Sequence, residues 1–183
     1  TGQVSSTLLG KDSFQEADVI GITQPITKHN YLIKDGEDVP RIVKEAFHIA
    51  RTGRPGPVLI DITRDAQHKM IKFKYPDKVD LPGYKPNLKG HPRQIKAAAK
   101  MIGIARKPVI YAGGGVIASG AEKELLAFAE KTNIPVTTTM MGKGAFPDHH
   151  PLALQMLGMH GTAYANYSVQ DCDLLIGIGA RFD

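Results

Sequence analysis

PVIYAGGGVIASGAEKELLAFAEKTNIPVTTT, residues 108–139, decides the fold. Its first five residues are apolar and rich in β-branched side chains, which predicts a buried strand. Three glycines follow, and Ser119 with Glu122 three residues later has the spacing of a capping box that begins a helix. Residues 134–138 then predict a second strand. A strand, a helix and a strand in this order indicate a parallel α/β sheet.

The flanking sequence extends this pattern. We predict a helix at 93–105, a helix at about 164–169 and a final strand at 174–179. Three strands alternating with helices predict part of a doubly wound, Rossmann-like sheet. Such a sheet would have an exposed edge, and the last strand, LLIGI, is not followed by a packing helix. We therefore expect this chain to be a piece of a longer protein.

The first third of the chain predicts a separate unit. Residues 1–36 look irregular, with a helix candidate at 12–17 and a strand candidate at 19–23. Asp38 and Pro40 are of residue types that are preferred at the start of a helix. An apolar stripe of helical period follows them, and Gly53 then marks the end of this predicted amphipathic helix. Residues 58–62 predict a strand. The Pro-rich stretch from about 66 to 92 has no regular period and is typical of an interdomain connection.

Composition limits the class of protein. The 183 residues are 42% hydrophobic and contain no apolar run of membrane-spanning length, so no membrane span is expected. The net charge is +5, but the basic residues are dispersed, which argues against nucleic-acid binding. Cys172 is the single cysteine, which fits a reducing cytoplasm and the role of a small, partly buried core residue.

The glycine run has two open interpretations. Gly113 to Ala118 formally matches G-x-G-x-x-A, a pattern that places a pyrophosphate at a helix N-terminus. The capping box at Ser119 and the absence of an acid after Thr137 argue against a dinucleotide site with an acidic ribose ligand. The glycines form either a turn that a ligand approaches or a purely structural turn. The histidines at 149, 150 and 160 lack metal-ligand spacing, so no metal site is expected.

Seven motifs along the chain resemble one enzyme family. They are TGQV, DSFQEADVIGIT, TKHN, PRIVKEAFHIARTGRPGPVLIDI, GGGV, LGMHGTAYAN and DLLIGIGARFD. In this order they resemble the catalytic large subunits of acetolactate (acetohydroxyacid) synthases, which use thiamine diphosphate. The resemblance implies that residues 1–65 end a pyrimidine-binding domain, 66–91 form a linker, and 92–183 form the first half of a central FAD-binding domain.

The resemblance also implies an activity. The family condenses two pyruvates, or pyruvate and 2-ketobutyrate, with loss of CO2, in the cytoplasmic synthesis of valine, leucine and isoleucine. It needs thiamine diphosphate and Mg²⁺, whose main ligands are expected outside this chain, so the piece alone should be inactive. FAD is largely structural in the family. A second catalytic subunit in a homodimer or tetramer, and a regulatory small subunit, are further implied partners.

The matching motifs imply site residues of two kinds. Those at the active site and its entrance are Gln3, Phe14, Gln15, Lys28 and Arg64. Those at FAD are Arg54, Gly113, Gly114, Gly115, Thr139, Leu157, Gly158, Met159, His160, Gly179, Arg181 and Phe182. For Arg54 the alternative is a cation at a helix C-terminus, and for Phe14 it is core packing.

Two positions depart from the family pattern. Ser5 follows GQV where proline is frequent in the family, and Arg64 stands where lysine is usual. These two differences place the details of the implied substrate channel in doubt. Two rival functions stay open. One is a sister thiamine diphosphate carboligase or decarboxylase such as glyoxylate carboligase, and the other is a non-catalytic nucleotide-binding module.

Overall fold

The computed structural model describes residues 1–182. The chain divides into two compact units, with the division between Lys89 and Gly90. Each unit contains one sheet, and all strand pairs among the described residues are parallel, so the α/β prediction is confirmed. Residue 183, the last of the proposed central-domain segment, lies outside the described residues. Across residues 1–182, no helix combines the length and the apolar character needed to cross a membrane.

The first unit is a three-stranded sheet with helices on its connections. The strand order is β1-β3-β2, so β3 pairs with both neighbours. The elements are β1 (Gly2–Gln3), α1 (Val19–Thr23), β2 (His29–Ile33), α2 (Val39–Arg51), β3 (Val58–Thr63) and α3 (Arg64–His68). Residues 69–91 form no helix or strand, as the Pro-rich pattern predicts, but residues 66–68, which the sequence assigned to the same irregular stretch, belong to α3.

Helix α2 confirms the predicted amphipathic segment. Its apolar stripe buries Ile42, Ala46 and Ile49. The capping detail differs, because the Asp38 carboxylate makes no cap bond and instead accepts from Arg41 at 2.7 Å. A 3-10 turn directly precedes the first residue of the helix, and Gly53, just after the helix end, has a φ of +58°.

Two predictions for residues 1–36 were wrong. Residues 19–23 form α1 rather than a strand, since the Asp18 side chain caps them by accepting the N–H of Gly21 at 2.9 Å. Residues 12–17 form a loop rather than a helix, and the strands of this region are β1 and β2 instead. A five-residue apolar run does not separate helix from strand by itself, and here the side-chain cap decides.

The second unit is a four-stranded sheet, where the sequence predicted three strands. Its order is β6-β5-β4-β7, which in chain order within the unit is third, second, first, fourth. This is the beginning of a doubly wound arrangement. The elements are α4 (Pro92–Ile104), β4 (Pro108–Ala112), α5 (Gly114–Ser119), α6 (Glu122–Thr132), β5 (Val136–Thr138), β6 (Ala153–Met156), α7 (Ala163–Asp171) and β7 (Leu174–Ile178).

The predicted capping box was also wrong. Helix α5 begins inside the glycine run, and Ser119 is its last residue. The Ser119 hydroxyl donates back to the carbonyls of Gly115 at 2.8 Å and Val116 at 3.0 Å. Gly120, at a φ of +67°, ends α5, and α6 then starts without a side-chain cap. The helix start therefore lies within the glycine motif, which removes one argument against a ligand there.

The core of the second unit lies between β4, β5 and the helices α5 and α6. Strand β4 contributes Ile110 and Ala112, both fully buried, and α5 contributes Val116. Helix α6 adds Leu125 and Ala129 from the same side of its surface. This packing holds the carboxyl ends of the strands in place.

Candidate cofactor site

The carboxyl edge of the second sheet gathers every predicted FAD residue of this unit. In a doubly wound sheet, ligands bind outside the carboxyl ends of the strands, at the point where the strand order reverses. That point lies between β4 and β7. The predicted residues follow the four strands in turn: Gly113, Gly114 and Gly115 after β4, Thr139 after β5, Leu157, Gly158, Met159 and His160 after β6, and Gly179, Arg181 and Phe182 after β7.

The loops after β4 and β7 lie directly against each other. The N–H of Gly113 donates to Ile178 O and the N–H of Gly115 to Gly179 O, both at 2.9 Å. A Cβ at Gly113 would stand 2.3 Å from Gly179 O, and one at Gly115 would stand 2.7 Å from Gly179 Cα. Gly179 itself has a φ of +60°. Close backbone packing therefore accounts for these glycines, and two of their N–H groups already have protein acceptors.

The loop after β5 joins the same surface. The N–H of Thr139 donates to Ala112 O at 2.9 Å, and the Thr139 hydroxyl accepts the N–H of Gly142 at 2.9 Å. A Cβ at Gly142 would stand 2.4 Å from Ala112 O. Sequence reasoning missed Gly142, although a glycine three residues after Thr139, soon after a predicted strand end, was a visible signal for close backbone approach.

The loop after β6 is held by α7. The Asn166 side chain accepts the N–H of Gly158 at 2.8 Å and donates to Gly158 O at 3.0 Å. Thr162 caps α7 by accepting the N–H of Ala165 at 3.2 Å. Met159 and His160 lie exposed at the tip of the loop. Asn166 and Thr162 support the site, and sequence reasoning assigned them no role.

Apolar side chains cover this edge although it faces solvent. Met140, Met141, Met159 and Phe182 are all largely exposed. The Phe182 ring lies 5.8 Å from the Tyr111 ring and covers Gly177. Flexible thioethers and an aromatic ring suit a flat, mostly apolar ligand such as an isoalloxazine. Thr137 and Thr138 are buried at the end of β5, so no acid is placed there for a nicotinamide-type ribose contact.

The first unit places its predicted residues at two edges of its sheet. Gln3 pairs in register with Thr63, and Arg64 follows, so Gln3 and Arg64 share the carboxyl edge. Lys28 and Arg54 precede β2 and β3 and lie together at the opposite edge, with Lys28 Nζ 2.9 Å from Arg54 O. The structure therefore does not bring Lys28 to Gln3 and Arg64.

Side-chain hydrogen bonds shape the carboxyl edge of the first sheet. Gln3 donates to Ala17 O at 2.7 Å and to the fully buried Asp61 carboxylate at 3.1 Å. The N–H and hydroxyl of Ser6 bond to Asp65, and these bonds lower the pKa of the Asp65 carboxyl. Asp65 therefore stays ionised beside Arg64.

A loop next to this edge presents two predicted residues. Phe14 is 89% exposed, which argues against core packing, and Gln15 has a φ of +66°. The Glu16 carboxylate accepts the N–H groups of Ser13 and Gly10. These bonds, that from Ser13 first, lower the pKa of Glu16. The Glu16 carboxylate thus fixes the backbone of the loop that carries Phe14 and Gln15. Within residues 1–182, no cluster of three or more His, Cys, Asp or Glu side chains could hold a metal ion.

The strand order defines the second unit as part of a doubly wound α/β domain. A family model described as "Thiamine pyrophosphate enzyme, central domain" matches residues 95–183. All of this chain aligns with curated relatives. It is 58% identical over 183 residues to an acetolactate synthase of Mycobacterium leprae, and 60% over 185 residues to a probable acetolactate synthase large subunit of Methanocaldococcus jannaschii.

The segment 95–183 is therefore similar to the central domain of thiamine pyrophosphate enzymes, and the whole chain is similar to part of the acetolactate synthases. A third relative, the acetolactate synthase large subunit of Corynebacterium glutamicum, is 57% identical over 183 residues. The chain spans 29%, 31% and 29% of these three proteins respectively. The resemblance drawn from the motifs is confirmed.

Proposed function

We propose that this chain corresponds to part of the catalytic large subunit of a cytoplasmic acetolactate synthase. Such an enzyme condenses pyruvate with pyruvate or 2-ketobutyrate and releases CO2, in branched-chain amino-acid synthesis. The observation that carries the proposal is the identity of more than half of all positions with acetolactate synthases along the complete chain. The proposed assembly is a homodimer or tetramer of catalytic subunits with a regulatory small subunit.

FAD is the proposed ligand of the second unit's carboxyl edge. The fit rests on the exposed methionines and Phe182, which offer an apolar surface, and on a continuous backbone surface from Gly113 to Gly179. Arg54, exposed in the first unit, is the proposed partner of the FAD diphosphate, because a guanidinium matches phosphate oxygens. Thiamine diphosphate and Mg²⁺, bound mainly by other parts of the enzyme, would supply the carbanion chemistry.

The carboxyl edge of the first sheet is the proposed substrate side of this chain. The exposed Phe14 ring would pack against the apolar part of a 2-ketoacid and help to exclude water. The Arg64 guanidinium, exposed at the start of α3, would attract its carboxylate through a charge-assisted hydrogen bond. Gln15, on the same loop as Phe14, offers a neutral amide group, and Gln3 supports that loop through its hydrogen bond to Ala17 O.

The test uses the full-length enzyme with pyruvate, thiamine diphosphate and Mg²⁺, with and without FAD. Acetolactate that depends on both organic cofactors is the expected product. Another product from pyruvate would instead assign the chain to a sister carboligase. Absence of turnover with retained nucleotide binding would leave only the binding-module function.

A pair of substitutions tests whether FAD binding needs the Arg54 side chain itself or only the positive charge of this region. Arg54→Gln should weaken FAD binding by about tenfold or more, since a charge-assisted contact is lost. Arg51→Gln is the matched control, because Arg51 is exposed at the end of α2, three residues away. Flavin fluorescence measures both affinities, and equal losses in the two variants would contradict the assignment.

A further inference from the structure

The Lys28 ammonium lies among oxygen atoms rather than in solvent. It donates to Ile49 O at 2.6 Å, to Arg54 O at 2.9 Å and to the Tyr84 hydroxyl at 2.9 Å, and it also bonds to Thr52 O. An ammonium has three protons, so four acceptors more than saturate it. Lys28 is therefore held in place and is not poised to reach a substrate.

The three carbonyl acceptors lie at the end of α2 and in the turn that carries Arg54. Carbonyl groups in the last turn of a helix lack partners inside the helix, and Lys28 supplies one for Ile49 at the end of α2. The backbone N–H of Lys28 also donates to Pro57 O at 2.7 Å. Lys28 thus bonds the turn on both sides of Arg54, at Thr52 and at Pro57.

Tyr84 closes the same turn from the Pro-rich segment. Its hydroxyl donates to Thr52 O at 2.8 Å while accepting from Lys28. The Lys28 ammonium lies 5.1 Å from the centre of the Tyr84 ring, and its hydrogen bond lowers the pKa of the Tyr84 phenol. A Cβ at Gly53 would stand 3.1 Å from the Tyr84 hydroxyl. Part of the proposed linker is therefore anchored to the first unit.

We infer that Lys28 and Tyr84 are positioning residues that fix the Thr52–Pro57 turn and so aim the Arg54 guanidinium at an anionic cofactor group. This inference rests on the proposed function, which gives Arg54 the FAD diphosphate. It differs from the role implied by the resemblance, in which Lys28 lines the substrate entrance. The two roles predict different measurements: the first affects FAD affinity and the second affects the KM for pyruvate.

Lys44 provides a matched control within the same unit. Its ammonium donates to Asp77 O at 2.9 Å and to Pro76 O, and lies 4.8 Å from the centre of the Tyr75 ring. Like Lys28, it therefore fastens a loop through carbonyls and an aromatic ring. Its bonds do not involve the turn that carries Arg54.

The experiment measures FAD affinity by flavin fluorescence in full-length enzyme carrying Lys28→Met, Tyr84→Phe or Lys44→Met, together with the KM for pyruvate at saturating FAD. Lys28→Met should raise the FAD Kd by about tenfold or more, because several charged hydrogen bonds are lost. Tyr84→Phe should raise it less. Lys44→Met should leave it unchanged, and the KM should stay at the wild-type value in all three.

Apo-enzyme melting temperatures separate positioning from general stability. Lys28→Met and Lys44→Met should both lower the melting temperature, but only Lys28→Met should change FAD affinity. Wild-type FAD affinity in Lys28→Met and Tyr84→Phe would overturn the inference, as would a raised KM with unchanged FAD affinity. If Lys28→Met does not fold, Tyr84→Phe decides. Failure of the wild-type enzyme to bind FAD would refute the FAD proposal itself, and the inference with it.

Discussion

The Asp173 carboxylate accepts the backbone N–H of Lys107 at 2.8 Å, and so ties the start of β7 to the residue before β4. Its second oxygen accepts the N–H of Arg106 at 2.7 Å. Strands β4 and β7 are paired from Pro108 opposite Leu174 onward and lie on the two sides of the point where the strand order reverses. One carboxylate at the amino edge thus fixes the register of the strands whose glycines meet at the carboxyl edge.

This clamp predicts an acid-sensitive contribution to stability. The hydrogen bonds from Arg106, and then Lys107, lower the pKa of Asp173. Because the folded-state pKa is depressed, the stabilisation is present above the unfolded value of about 3.9 and is lost as the pH falls through the folded value. Asp173→Asn should lower the melting temperature at pH 7 and flatten its decline in acid, as measured by circular dichroism.

Asp171→Asn is the control for that measurement. Asp171 is exposed at the end of α7, where a negative charge opposes the helix dipole, so its removal should not lower the melting temperature. Equal melting temperatures for Asp173→Asn and wild type at pH 7 would show that the clamp contributes nothing measurable.

Glu16 predicts a local effect in the loop that presents Phe14. Glu16→Gln should speed hydrogen exchange at the N–H of Ser13, which donates to the carboxylate at 3.0 Å. In the wild type, this protection should be present above the usual glutamate pKa of about 4.3 and fall as the pH drops through the depressed folded value.

Asp12→Asn tests whether any charge change in this loop has the same effect. Asp12 is exposed and has a φ of +54°, which asparagine tolerates well. Exchange at Ser13 should therefore stay at the wild-type rate. Faster exchange in both variants would assign the protection to the overall charge of the loop rather than to the Glu16 hydrogen bonds.

The elements that sequence reasoning found are those with a strong apolar pattern. Strand β4 and helix α2 follow from an unbroken apolar run and from a stripe of helical period. Strand β6 was missed because it is short and irregular: Gln155 has a φ of +61° and shifts the register with β5. The prediction at Ser119 failed because a serine hydroxyl can either cap the helix that follows it or donate back to the helix that it ends. Gly120 was the better signal, as glycine commonly ends helices.

The candidate site was predictable to a different degree in each unit. At the second sheet, motif positions fell at strand ends, and the carboxyl ends of parallel strands meet at one edge. The hydrogen bonds of the Lys28 ammonium were not predictable from the neighbouring sequence, since their acceptors lie 21 to 56 residues away in the chain. Most of these acceptors are backbone carbonyls, which every residue type carries, so only the folded turn reveals them.

The core of the second unit predicts a contrast between two isoleucines. Ile110 in β4 is fully buried, whereas Ile104 at the end of α4 is 72% exposed. Ile110→Ala should reduce the free energy of unfolding by about 2–5 kcal/mol, and Ile104→Ala should change it by no more than about 0.5 kcal/mol. Urea titration of the 183-residue chain measures both. Similar losses in the two variants would mean that the core is not centred on β4.

The glycine contact between β4 and β7 predicts opposite results for the same chemical change at two positions. A Cβ at Gly113 would lie 2.3 Å from Gly179 O and 2.5 Å from Ala180 Cα, so the two loops must separate to admit a methyl group. We expect Gly113→Ala to cost about 1–3 kcal/mol of unfolding free energy, as overpacking does. At Gly103, inside α4, nothing lies within 4 Å of a Cβ. Gly103→Ala should therefore gain about 0.5–1 kcal/mol from the lost flexibility of the unfolded chain.

Urea midpoints of the two alanine variants test this contrast, and FAD titration of the full-length enzyme extends it to the proposed site. Gly113→Ala should weaken FAD binding because it moves the loops of the proposed site, while Gly103→Ala should not. A Gly113→Ala variant as stable as wild type would mean that the loops part without cost. Normal stability with lost FAD binding would instead show that the glycine is needed for the ligand's approach rather than for the packing of β4 against β7.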